Sequence, residues 1–115
     1  MDLANLDFQQ LRIKHIAYKS KVRSVLYGGS YDKRYFQEDN PVFLWFSDIG
    51  NVRYGGEPWL QQLSRQHRDF SVLADGLIKK YGSDLIEQAH DGLEDLNAAS
   101  ERFLRTLSKV EQQSV

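Results

Sequence analysis

"LQQLSRQHRDFSVLADGL", Leu60 to Leu77, is the stretch that decides the fold. Its apolar residues Leu60, Leu63, Phe70, Ala74 and Leu77 are spaced so that one side of an α-helix carries them all. His67 and Ser71 stand one turn apart on that same side. The reading therefore turns an imidazole and a hydroxyl toward what should be the core, and a function has to account for them.

Working outward, the helix runs from Trp59 to Tyr81, between the break "RYGGEPW" and Gly82. An earlier helix spans Asn5 to about Tyr27, with Phe8, Leu11, Tyr18, Val22 and Val25 as its stripe and Gly28-Gly29 as its stop. His15 falls inside that stripe and also faces inward. "DNPVFLWFSDIG" offers Asp39-Asn40 as caps, Pro41 where a first turn tolerates it, and Gly50 as an end. It reads as a short helix buried on more than one side, with a buried strand as the rival. Ser83-Asp84 are expected to cap a last helix whose stripe is Leu85, Ala89, Leu93, Leu96, Phe103, Leu107 and Val110. Three long helices, one short one and no internal repeat predict an all-α helical bundle forming a single domain over residues 1–115.

Composition narrows the function. The 115 residues include no cysteine, which removes thiol catalysis, disulfides and thiolate metal ligands. A net charge of -1 gives no general attraction for nucleic acid or an anionic membrane. No signal-like N-terminus and no long apolar run occur, so a cytoplasmic protein without membrane insertion is expected. Charge is uneven: Arg12, Lys14, Lys19, Lys21 and Arg23 crowd the first helix, and Glu87, Asp91, Glu94, Asp95 and Glu101 the last. These faces are expected to complement one another within the chain or across a homodimer.

Three histidines hold most of the candidate chemistry. His15 and His67 sit on core faces of different long helices, the placement bundles use to build internal metal sites. His90, between Ile86 and Leu93, reads as a boundary residue. Neither His15 nor His67 has a carboxylate one turn on, and no Ser-His-Asp order or phosphate-binding glycine loop appears, so no enzyme is predicted and no catalytic residue is assigned. Lys19 one turn beyond His15 leaves a histidine phosphotransfer module as an alternative, provided His15 is exposed.

These segments together resemble the chemoreceptor zinc-binding (CZB) domain family of bacterial signal transduction. The likeness is carried by "KHIAYKSKVRSVLYGG" (Lys14–Gly29), "NPVFLW" (Asn40–Trp45), "RYGGEP" (Arg53–Pro58) and "LSRQHRDFS" (Leu63–Ser71). It covers about Leu6 to beyond Val110. The resemblance implies an antiparallel four-helix bundle and a non-catalytic sensory or regulatory role, attached in the family to chemoreceptors of chemotaxis or to diguanylate cyclases.

It also implies a metal site that is incomplete in this chain. The family binds zinc through three histidines and one cysteine; His15 and His67 keep two positions, whereas Asn40 stands at the cysteine and Ser71 at the third histidine. Loss of a thiolate and an imidazole is expected to lower zinc affinity by orders of magnitude. Asp32, Glu38, Asp39 and Asp69 are the carboxylates near enough in sequence to be candidate substitutes. Without them, the four positions are expected to form a polar cluster bonded among themselves, free of zinc and other cofactors, or a pocket for a small polar ligand or another ion. With no output domain in these residues, signalling is expected to run through a homodimer or a protein partner, and an inert interaction bundle is the remaining alternative.

Overall fold

Apolar spacing in the first helix becomes a buried seam: Phe8, Leu11, His15, Tyr18, Val22, Val25 and Leu26 line the inner side of α1 (Leu3–Leu26). The computed structural model describes residues 3–113. Gly28, at φ 98°, turns the chain out of α1 in a conformation that costs a residue with a Cβ more. A π-helical turn over Arg34–Glu38 follows, its entry held by Asp32, which accepts from the Arg34 and Tyr35 backbone N–H groups at 3.1 and 3.3 Å.

The fourth arm is helical, and the strand alternative falls away. α2 (Pro41–Trp45) begins with Pro41 in its first turn and with Asn40 as its cap, the side-chain oxygen accepting from Val42 and Phe43 at 3.0 and 3.3 Å. Gly50 does not end the arm. A π-helical turn over Phe46–Gly50 leads into α3 (Asn51–Tyr54), and the break comes at Gly55-Gly56. Gly50 serves packing instead: a Cβ there would lie 2.8 Å from the Trp45 ring and 3.1 Å from Leu60.

α4 (Pro58–Gly82) buries Leu60, Leu63, His67, Phe70, Ala74 and Leu77, the side that its sequence marks out. The last helix differs from expectation at its start. Ser83 closes α4 and Asp84 takes a left-handed φ of 67°, so neither caps the next helix, and Leu85 is left exposed. α5 (Ile86–Asp91) then breaks at Gly92 before α6 (Leu93–Gln113). At the break Gly92 packs so tightly on Leu77 of α4 that a Cβ would overlap it.

Side-chain pairs set the directions. Asp7, His15 and Leu26 of α1 meet Tyr54, Ser100 and His90, while Tyr18 meets Ser71. α1 thus runs antiparallel to the α2–α3 arm and to α5–α6, and parallel to α4. The result is an up-down-up-down four-helix bundle with one short arm. Among the described residues there is no strand, and no helix is long and apolar enough to cross a membrane.

Expected charge complementarity is realised only locally. Arg12 pairs with Glu111, and Gln9 donates to the same carboxylate at 3.2 Å, tying α1 to the end of α6. Among the described residues Glu87, Asp91, Glu94, Asp95 and Glu101 form no ion pair. Their face remains solvated.

Candidate functional site

A cleft of about 540 Å³ opens between α1, the Arg34–Glu38 turn, the arm and α4. Three of the four positions singled out by the sequence, Asn40, His67 and Ser71, line it. His67 and Ser71 come from α4 and Asn40 from the head of the arm, and the antiparallel arm is what brings Asn40 up to the middle of α1 and α4.

Tyr18 organises its floor. The phenol donates to Ser71 Oγ at 3.2 Å, and its ring lies 6.0 Å from His67 and 5.1 Å from Phe70. Burial pushes the Tyr18 hydroxyl up to about 12, opposed by Ser71 and the nearby amide of Asn40 and reinforced by Asp75. Near neutral pH the group is an O–H. Ser71, having accepted that proton, is free to offer its own to the cleft.

His67 is 8% exposed, with Phe46 stacked on its ring at 5.7 Å. Burial, and next the positive charge of Arg68, lower its pKa to about 4, so the imidazole is neutral at physiological pH. Its Nδ1 is buried with no hydrogen-bond partner. Such an atom carries an uncompensated desolvation cost of about 1–3 kcal/mol.

His15 lies a layer deeper and does not line the cleft. Fully buried, it is stacked on Phe103 at 4.4 Å and meets the edge of Phe70 at 4.9 Å. Its Nε2 shares a hydrogen bond of 2.8 Å with Ser100 of α6, and Nδ1 is unpartnered. Burial, with smaller contributions from His67 and Lys19, brings its pKa down to about 3. His15 and Ser100 have the contact of a catalytic base and nucleophile, but Ser100 is also fully buried and no carboxylate orients Nδ1. No substrate can reach that pair.

The four positions are therefore neighbours, yet they do not satisfy one another as expected. Asn40 gives its oxygen to two backbone N–H groups, Ser71 accepts from Tyr18, and His15 turns to Ser100. Tyr18 and Ser100 are the residues that sequence reasoning missed as partners. Tyr18 reads as ordinary core, and Ser100 reads as one more small residue of α6, since a hydroxyl's partner across a bundle leaves no trace in local spacing.

These donors do not fit a zinc centre. Tetrahedral sites use thiolates, imidazoles and carboxylates; here the set is two neutral imidazoles, one of them committed to Ser100, with an amide oxygen committed to a helix cap. The candidate carboxylates do not repair it. Asp32 holds the π-helical turn, Asp39 pairs with Arg34 at 2.5 Å, and Asp69 is exposed on α4 away from the cleft. Glu38 does line the cleft, as does Asp75, whose carboxyl is pushed up by desolvation. Among the described residues no three His, Asp or Glu side chains converge on a point where they could hold a metal.

His90 has a structural role. Half-buried and stacked on Tyr27 at 4.4 Å, it donates Nε2–H to the Leu26 carbonyl at 2.5 Å, satisfying an orphan acceptor at the end of α1. No family model, curated protein or solved structure matches the chain.

Proposed function

We propose that this chain is a non-catalytic sensory or regulatory bundle of the chemoreceptor zinc-binding type, working in the cytoplasm through a homodimer or a signalling partner, in which a polar cleft stands where the family places zinc. The observation that carries the reading is the meeting of Asn40 with His67 and Ser71, a pair one turn apart on α4 and distant from it in sequence, around one cleft with His15 directly behind it. That is the assembly which the resemblance requires of its four ligand positions. Polar residues persist at all four, where a bundle free of any site would gain stability from leucine or alanine.

Two alternatives find less support. A phosphoryl group has no path to His15, which is sealed between Phe70 and Phe103. An inert bundle leaves the polar cleft at Asn40, His67 and Ser71 without a purpose.

Rebuilding the family's donors tests the reading. The wild-type chain should show no zinc binding below millimolar concentration, whereas Asn40→Cys combined with Ser71→His should gain at least about a thousandfold in zinc affinity, since complete sites are worth roughly 10–16 kcal/mol. Titration against a chromogenic zinc chelator measures both. A double variant that keeps its helical circular dichroism and gains no affinity would overturn the proposal.

A further inference from the structure

The cleft has the makings of a ligand site in its own right. Its floor offers hydrogen bonds that the protein does not use: the imidazole of His67, which lines the cleft and makes no side-chain hydrogen bond among the described residues, and the free hydroxyl proton of Ser71, aligned by the Tyr18 donor behind it. Its wall is aromatic. Phe46 is buried against His67, and Phe43, 59% exposed, presents its ring to the cleft without a covering neighbour. Charge is confined to Arg68, Glu38 and Asp75, with both signs represented.

We propose that this cleft binds an uncharged planar heteroaromatic ring, of purine size or smaller, with its polar edge toward Ser71 and His67 and a face against Phe43 and Phe46. A charged group at the floor would find little compensation, because Tyr18, Asn40, Ser71 and neutral His67 carry no charge and the charges elsewhere in the cleft are of both signs, and burying a poorly paired ion is costly. An aliphatic molecule would leave the polar edge unpaired and forgo the preferred geometry of ring on ring. Donors and acceptors on the edge of a flat ring answer both demands. The volume suits such a ring together with a substituent extending toward Arg68, Glu38 and Asp75, and lies in the range of small-molecule sites.

The inference rests on the regulatory reading for its meaning as a signal, and on the cleft alone for its chemistry. Adenine is the probe, followed in the full chain by amide NMR titration, with benzoate, benzylamine and cyclohexanol as the anionic, cationic and aliphatic comparators. Adenine should move the Asn40, His67 and Ser71 resonances saturably and bind at least about tenfold more tightly than any comparator. Phe43→Ser, at an exposed position that leaves the fold intact, and Ser71→Ala should each weaken adenine by about tenfold. Absence of a saturable shift, equal binding of benzoate or benzylamine, or full affinity in both variants would overturn the proposal. A silent adenine titration beside a rebuilt zinc site would end this inference alone; failure of both would also remove the regulatory reading.

Discussion

Two buried polar clusters hold the short arm of the bundle, and they are built on opposite plans. At the lower end of α1 the Asp7 carboxylate, 3% exposed, receives Arg53 at 2.7 and 2.8 Å and the Tyr54 hydroxyl at 2.6 Å, while its backbone carbonyl accepts Trp45 Nε1–H at 3.0 Å. Both oxygens of that carboxylate are paired within the protein. Around Tyr18 the same arm meets α1 and α4 again, but a buried imidazole nitrogen goes unpartnered and a cleft remains. A closed network fixes geometry; an open one retains hydrogen-bonding capacity for something else. The difference locates the structural lock at Asp7 and the candidate site at His67.

The comparison is broken most severely by acid. His15 and His67 titrate near 6.5 when unfolded but near 3 and 4 in the fold. The unfolded chain then binds more protons below pH 6.5, so stability is complete above that pH and falls progressively toward pH 4 and beyond. Each histidine contributes a slope approaching about 1.4 kcal/mol per pH unit in that window. Urea midpoints followed by circular dichroism at pH 7, 5.5 and 4.5 should decline accordingly, and His15→Gln with His67→Gln should flatten the decline.

Next in size is the lock. Asp7→Ala should cost about 2–3 kcal/mol, because Tyr54 loses its acceptor and Arg53, 41% exposed, recovers only part of its pairing from water. A urea melt at pH 7 measures it, and a loss under 0.5 kcal/mol would erase the proposed difference between the clusters. Asn40→Ala, which removes the cap of α2, should cost about 1 kcal/mol by the same measurement. Smallest should be Ser71→Ala, at under about 0.5 kcal/mol: the Tyr18 hydroxyl beside an open cleft can turn to water instead. A Ser71→Ala cost as large as that of Asp7→Ala would mean that the cleft is a second lock.

Much of the fold was legible before any coordinates. The stripes of α1 and α4 are buried as their spacing demands, and His15 and His67 lie on the faces that spacing assigns, since a helix has one period and a bundle one interior. Boundaries were less legible. Gly50 reads as a stop but is a close-packing residue under Trp45, and the continuous-looking last stripe is cut at Gly92 by the approach of Leu77. Ser83-Asp84 have the composition of a cap and instead form the exit from α4. Local chemistry names residues suited to a turn, and packing chooses among them.

The sequence by itself determined the all-α class, the inward faces of the long helices, the absence of thiol chemistry and the four polar positions that deserve a function. Asn40 as a cap could be read from its place before Pro41, but only the tertiary structure decided how the other three are used: Ser71 under Tyr18, His15 sealed against Ser100, and His67 without a hydrogen-bond partner beside a cleft. Helical periodicity is written in neighbours a few residues apart, whereas a hydrogen bond between α1 and α6 joins residues 85 apart in the chain. No local pattern encodes such a partner, so the direction in which each buried polar atom spends its bond is settled when the helices pack.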